Sequence, residues 1–470
     1  MEAPVYRQSG WESPGNSWLL LSIGFGLLVH LWETYLDYRQ HIRLKVSGAE
    51  VPVELKKLVE RMDSDEEKLL EKLTEKGPKA QAYALAKSRF KFVNSSFQLI
   101  LSIATTILGL SPYAWDLASG YGAKWFGGSP ESREIKDSLL FMGVITVFET
   151  ITTLPFDYYS TFVIEQKHGF NKSTVRLFIT DKIKSLLLTA LIGGPIVAAL
   201  LSIVRAVGAQ NLALYVGVFV FCISLLLLTI FPVVIQPLFN KYEPLEAGEL
   251  KSAIEALAES VKYPLYKLFT VDGSKRSNHS NAYMYGFFKA KRIVLFDTLL
   301  KQASSEEIVA ILAHELGHWS HGHTLLAFAV TQTYFFASFY FFSRAMAAVD
   351  MYRSFGFRAI RGTKSPTAGA PIIVGLMLFF STLWTPVDHT LNFLLTLNSR
   401  RMEYQADQYA VALNKADALA RGLVKITFEN LGILDPDPWY STYHHSHPPL
   451  VHRLRAISIA QESTSNKKLD

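Results

Sequence analysis

The sequence predicts an all-α polytopic membrane protein with a small α+β segment on one side of the bilayer, and three observations carry that reading. Seven windows of mostly apolar residues begin near Trp18, Phe97, Leu139, Leu186, Leu212, Leu325 and Ile372, and a helical membrane crossing needs about 20 such residues. The chain combines 49% hydrophobic with 19% charged residues over 470 positions, a mixture that fits apolar spans alternating with charged loops. The segment His314-Glu315-Leu316-Gly317-His318 then runs almost directly into the sixth window. A large soluble α protein would also hold long apolar helices, but several of these windows are apolar on every face, as a span is and an amphipathic helix is not.

The first window, at about 18–32, has no basic cluster before it and no small-residue cleavage site after it, so it reads as a retained span rather than a signal peptide. Next comes a loop, 39–91, with Arg43, Lys45, Lys56, Lys57, Arg61, Lys68, Lys72 and Lys76. The positive-inside rule puts it in the cytosol and the amino end outside. Within it Leu55, Leu58, Leu69, Leu70 and Leu73 mark an apolar helix face. Residues 113–137, rich in Gly, Ser and aromatics, read as irregular or interfacial. Cys222, the lone cysteine, falls in the fifth span and excludes an internal disulfide.

Threading from the first loop puts 167–184, 241–323 and the carboxyl tail on the cytosolic side, while one basic cluster, Arg353, Arg358, Arg361 and Lys364, falls opposite. These flanking clusters account for the net charge of +6 and the isoelectric point near 9.0, so nucleic-acid binding is not implied. Four regions follow: 1–236 with five spans, 237–323 as a cytosolic folded segment, 324–398 with two spans, and 399–470 as a cytosolic end. Inside 237–323, residues 249–262 have helical spacing, and 266–271 and 292–296 are short β-branched and aromatic runs that read as strands. A helix beginning near Ser305, with Glu306 and Glu307 in its first turn, carries the histidine motif and is expected to continue into the sixth span.

Residues four apart share a helix face, so His314 and His318 can offer ring nitrogens to one metal ion with Glu315 beside it as a base. A catalytic zinc keeps three protein ligands and one open position, so a third ligand is required. After the seventh span Glu403 and Asp407 share a helix face, and the threading returns them to the same side as the histidines. Glu403 then completes the donor set, and Asp407 one turn away accepts a hydrogen bond from a ligand histidine and fixes its tautomer. The stretch His444-His445-Ser446-His447-Pro448-Pro449 is a rigid loop in which one histidine is placed to donate to an oxyanion. His321 and His323 are read as membrane-interface residues.

Assembled in this way, the chain resembles the type I CAAX prenyl proteases over nearly its whole length. The resemblance is carried by ETYLDYRQ at 33–40, FVIEQKHGFN at 162–171, SNAYMYGFF at 280–288, HELGHW at 314–319, the Glu403 and Asp407 pair, and SHPP at 446–449. It implies one Zn2+ per chain on His314, His318 and Glu403, Glu315 as general base, and Asp407 behind a ligand. It also implies Asn281 on substrate backbone, His447 on the oxyanion, and Arg453 near negative charge at the substrate's carboxyl end. Seven helices enclosing a water-filled chamber are implied too.

The same resemblance implies removal of the last three residues of prenylated CaaX proteins, with a second upstream cut. It implies a monomer in contact with membrane lipid, in the endoplasmic reticulum and inner nuclear membranes, with the amino terminus lumenal and both active site and carboxyl terminus cytosolic. The terminal Lys467-Lys468-Leu469-Asp470 is similar to a dilysine retrieval signal. Asn278 departs from the family pattern, where a small hydroxyl residue is expected, and the linker from Thr298 to Glu306 is short. Two rivals are a broad-specificity membrane quality-control protease, and a transporter or receptor with a structural metal, in which Glu149, Asp157 and Asp388 mark a conduction path.

Overall fold

A computed structural model describes residues 14–64, 67–286, 290–357 and 370–466. Arg358, Arg361 and Lys364 of the anomalous basic cluster, Phe288, and the terminal Lys467 to Asp470 lie outside the described residues. The chain is mostly helical. It opens with α1 (Ser17–Ser47), a short α2 (Val53–Glu60) and the long α3 (Leu69–Leu108), followed by α4 (Leu110–Phe126) and α5 (Pro130–Tyr159). Next come α6 (Val175–Leu188) and α7 (Gly194–Ile230). Among the described residues, five helical runs are long and apolar enough to cross a membrane: Ser17–Ser47, Leu69–Leu108, Pro130–Glu165, Val175–Leu238 and His323–Ala345. A sixth forms if Ile372–Leu383 and Thr385–Ala412, bent by 59°, count as one span. The fourth and fifth expected spans run on as one 64-residue stretch, interrupted where Gly208 leaves helical geometry at φ 66° and ψ −179°.

Helix α4 corrects the expectation of an irregular segment over 113–137. Its small residues Ala114 and Ala118 pack on Phe141 of α5, and Gly122 lies so close to the Asp137 carboxylate that a Cβ there would collide with it. The glycines and serines that look like loop residues thus let two helices touch. The apolar face at Leu55, Leu58, Leu69, Leu70 and Leu73 forms as expected. It packs on Val424 and Phe428 of α15 (Ala416–Glu429) and Leu454 of α17 (Leu450–Asn466).

Beyond α7 the chain builds a four-stranded sheet, β1 (Tyr242–Pro244), β2 (Leu265–Val271), β3 (Ala282–Tyr285) and β4 (Lys291–Phe296), with α8 (Glu249–Ser260) after β1. The spatial order is β1-β2-β4-β3, with β2 and β4 parallel and the outer pairs antiparallel, so β3 is an edge strand. Both expected strands are present, each one residue longer. The two outer strands, of three and four residues, are too short to show a period in the sequence.

After α9 (Asp297–Gln302) comes α10 (Ser305–Ser320), which bears the histidine motif and is buried from Glu307 to Gly317 with Glu315 as the exception. Ile308, Leu312 and Leu316 pack with Ile293 and Leu295 of the sheet, Ile254 of α8, and Ala410 of α14 (Thr385–Ala412). Each fully buried aliphatic side chain contributes about 1.5–3 kcal/mol, so this helix is the centre of the core built against the sheet. Its start is fixed by a capping box, with Ser304 Oγ accepting from Glu307 N and Glu307 Oε2 accepting from Ser304 N at 2.7 Å. Contrary to expectation the helix does not continue into the next span. It ends at Ser320, and Gly322 takes a left-handed conformation (φ 67°) before α11 (His323–Ala345) begins, with the short α12 (Val349–Ser354) and α13 (Ile372–Leu378) beyond it.

The fully buried Glu307 is paired with Lys425 Nζ of α15 at 2.7 Å, which ties the start of α10 to the carboxyl-terminal helices. Lys425→Met is expected to strand this carboxylate and destabilise the protein by about 3–5 kcal/mol, read as a lower melting temperature in detergent; an unchanged melting temperature would show the pair to be dispensable.

Candidate metal centre

The site rests on how closely α10 and α14 approach. A Cβ added to Gly317 would stand 2.8 Å from Ala406 Cα and 3.0 Å from Tyr409 Cβ, so glycine facing alanine lets the two backbones touch. At that separation Glu403, one turn before Asp407 on α14, reaches both motif histidines. His314 Nε2 lies 3.2 Å from His318 Nε2 and 3.5 Å from Glu403 Oε2, while His318 Nε2 lies 3.3 Å from Glu403 Oε1. These three residues are the candidate metal group among the described residues.

The spacing fits a metal. Zinc bonds nitrogen and oxygen at about 2.0–2.2 Å in tetrahedral sites, which sets ligand atoms about 3.3–3.6 Å apart. A second observation agrees: Glu403 is buried, yet its Oε2 makes no hydrogen bond. His447 Nδ1 stands 2.7 Å from that oxygen. A buried carboxylate oxygen without a hydrogen bond is costly, and a metal ion would meet it alongside the Arg453 guanidinium at 3.5 Å.

Glu315 points into a cavity of about 820 Å3 that His318 also lines, together with Tyr283, Met284 and Tyr285 of β3 and with Leu227, Phe231, Trp319 and Leu325. Burial pushes its carboxyl pKa up, against the pull of the His314 and His318 rings. A second cavity, of about 900 Å3, opens on the other side of the site past His279, His444, His445 and His447. Burial and the nearby Lys91 push the His444 ring down to about 4, so it is neutral at ordinary pH.

Asp407 is fully buried and its Oδ1 accepts from His314 Nδ1 at 2.9 Å. Arg453, on α17, donates to Asp407 from Nη2 at 2.6 Å and from Nε at 2.9 Å, and its Nη1 is 3.5 Å from Glu403 Oε2. The guanidinium also lies 3.3 Å from His314 Nδ1. Both groups are donors once Nδ1 carries the proton, so the shorter contact with Asp407 decides the geometry. Asn281 precedes the edge strand, with its Oδ1 accepting from Ala282 N at 2.8 Å. His321 Nδ1 bonds Gly317 O at 2.9 Å, and the buried His323 meets His318.

The remaining sequence motifs hold these parts in place. Arg39 pairs with Asp437 at 2.9 Å, fastening α1 to the start of α16 (Pro438–His444), and Arg400 Nη1 donates to Ser441 O and His445 O, fixing the histidine loop. In the 162–171 motif, Phe170 O accepts from Asn278 N and Asn171 bridges to Ser277, which sets the entry to β3. Arg400 is legible in the sequence as one of two arginines just before Glu403. Gln405, whose Oε1 lies 3.0 Å from His323 Nε2, is not.

Membrane-length helices joined to a helix-borne His-His-Glu donor set, with a carboxylate beside it, define a membrane-embedded metalloprotease. Residues 43–241 match the family model described as CAAX prenyl protease N-terminal, five membrane helices, and residues 244–461 match peptidase family M48. The chain is 45% identical to the CAAX prenyl protease 1 homolog of Oryza sativa, across 94% of this chain and 97% of that protein. It is 39% identical to CAAX prenyl protease 1 of Saccharomyces cerevisiae (97% and 98% covered) and 36% identical to the Homo sapiens homolog (96% and 98% covered). The crystal structure of S. mikatae Ste24p superposes with a TM-score of 0.83 at 39% identity, covering 94% of this chain and 99% of that one. The chain therefore belongs to the CAAX prenyl protease 1 family of M48 zinc metalloproteases.

Gly317→Ala is expected to wedge α10 from α14, costing about 1–3 kcal/mol and lowering metal content in purified protein; full metal occupancy in this variant would show that the close contact is not required.

Proposed function

We propose that this protein is a zinc metalloendopeptidase that removes the carboxyl-terminal tripeptide from prenylated CaaX proteins. The observation that carries this reading is the cavity in which Glu315, His318 and the free edge strand β3 meet apolar side chains of the membrane helices. An extended peptide can add to β3 through backbone bonds, while an attached hydrocarbon chain finds Leu227, Leu228, Phe231 and Leu325 along the same wall. The relatives named for CAAX processing support the substrate class.

In this reading His314, His318 and Glu403 hold one zinc ion. When bound, zinc supplies Lewis-acid polarisation of a carbonyl oxygen and makes water acidic enough to be a nucleophile near neutral pH. Glu315 takes the proton of the attacking water on its carboxylate and returns it to the departing amine. The exposed His447 ring, beside Glu403, turns an N–H to the oxyanion. Asn281 leads the edge strand and anchors substrate backbone. Asp407 orients His314, and Arg453 keeps Asp407 ionised while adding positive potential toward a substrate carboxylate.

The architecture assigned with this function has seven crossings, obtained by dividing Val175–Leu238 at Gly208 and counting the bent pair as one, around a wet chamber. Two polar groups that a conduction path would need are paired rather than strung along it: Asp157 with Lys182 at 2.6 Å and Asp388 with the Tyr334 hydroxyl at 2.6 Å. The protein acts as a monomer in contact with lipid, in the endoplasmic reticulum membrane and the continuous inner nuclear membrane. Its regions are 1–236, 237–323, 324–398 and 399–470, with the amino terminus lumenal and the site cytosolic.

Glu315→Gln is expected to retain one zinc per chain and to lose about 10²–10⁴-fold in turnover of a farnesylated reporter peptide, read by metal analysis and mass-resolved product formation; undiminished turnover would remove Glu315 as the base. Wild-type protein is further expected to cleave the farnesylated peptide well ahead of its unprenylated twin. Equal rates would point to broad membrane-protein clearance instead.

A further inference from the structure

The two ligand histidines are held from behind by different chemistry. His314 Nε2 faces the donor set and its Nδ1 meets Asp407. His318 Nε2 faces the donor set in the same way, but its Nδ1 is held by another ring. It lies 2.9 Å from His323 Nδ1, and His323 Nε2 lies 3.0 Å from Gln405 Oε1. We propose that His323 and Gln405 are positioning residues for the metal, a neutral three-member chain that locks His318 in the tautomer presenting a bare Nε2. This rests on the zinc reading given above.

The protonation pattern follows from one condition. If His318 binds a cation through Nε2, its single proton sits on Nδ1 and must be donated. His323 Nδ1 is then the acceptor, so the His323 proton sits on Nε2 and needs an acceptor of its own. Gln405 Oε1 is that acceptor. Every hydrogen-bonding atom in the chain is thereby used in one direction, with each bond polarising the next. The opposite direction would place a proton on His318 Nε2 and bar it from the metal. His323 is 7% exposed, and with both nitrogens engaged it has none left to bind an ion itself.

The chain depends on a break in the helix. Residues 318 and 323 would not share a face of a continuous helix, being five apart. The left-handed Gly322 (φ 67°) between α10 and α11 swings His323 back over His318, where its ring also lies 5.5 Å from His321 at 21°, nearly parallel. Gln405 comes from α14, two residues past the ligand Glu403, so the same helix supplies one ligand and the end of the chain that orients another. Partners of this kind, behind a metal ligand, are worth about 10–100-fold in metal affinity.

The test uses the full-length protein in detergent, with wild type, Gln405→Leu, His323→Leu and His323→Asn. Zinc affinity is read by competition with a chromophoric chelator, ligand geometry by the visible bands of the Co2+-substituted protein, and folding by the melting temperature of each metal-free form. Gln405→Leu and His323→Leu are expected to lose about 10–100-fold in zinc affinity and to shift the Co2+ bands. His323→Asn, whose Oδ1 can take the proton of His318 Nδ1, is expected to recover most of the affinity. A metal-free Gln405→Leu that melts with the wild type separates orientation of the ligand from packing of the turn. Wild-type affinity and unaltered Co2+ bands in both leucine variants would overturn the proposal, as would an asparagine variant no better than leucine. Wild-type protein that binds no zinc would instead overturn the metal reading of the site itself.

Discussion

The contact between Gly317 and Ala406 is the constraint on which the rest of the molecule depends. Metal ligation needs side chains from helices far apart in sequence to converge within a few tenths of an ångström, and helix packing with side chains between would hold the axes about 8–10 Å apart. Removing the side chain at the crossing lets the short Glu403 side chain reach both imidazoles. It also seats Asp407 beneath His314 and Gln405 beside His323. The apolar burial of α10 on the sheet and of α2, α15 and α17 around it then serves to hold that crossing against lateral slip.

Charge gives a second argument for the same site. The half-buried Glu315 joins the buried Glu403 and Asp407 in a cluster of three carboxylates, and Arg453 is a guanidinium that faces them. Were the histidines neutral, as metal binding would require, three ionised carboxylates against one guanidinium would leave two uncompensated negative charges, and buried charge without a partner is expensive. A divalent cation would close that difference. Burial raises the pKa of Glu315, which feels the nearby histidines only through space, whereas Asp407 is hydrogen-bonded by Arg453 and His314.

Much of the site is legible in the sequence because its spacing is local. His314 and His318, and Glu403 and Asp407, are pairs four apart on continuous helices, so a one-turn rule places each pair on one face. What escapes lies where periodicity stops. His323 belongs to the site only because Gly322 is left-handed and returns it to His318, whereas a helix running on through Gly322 would carry it away. Helix α4 reads as loop because residues that allow close packing are the same residues that mark turns. The outer strands carry no pattern of their own and exist through pairing with β2 and β4. Arg453 is tied to Asp407 across 46 residues, and no spacing rule joins them.

The membrane helices contribute by irregularity as well as by length. π-Helical turns interrupt the long helical runs at Ser160–Glu165, Thr189–Gly193, Phe231–Ile235 and Phe379–Leu383. Each such turn inserts an extra residue and rotates the side chains that follow it. Phe231 and Pro232 open the third of these turns and line the cavity that holds Glu315, while Ser160 opens the first and lines the cavity past His447. The first turn also ends on Glu165, whose Oε1 accepts from the Tyr83 hydroxyl of α3 at 2.6 Å. A regular helix would point those residues elsewhere around the axis. The cavity of Glu315 and the cavity of His447 are thus shaped where the membrane helices depart from α geometry, which couples the register of the bilayer-spanning segments to the walls of the site.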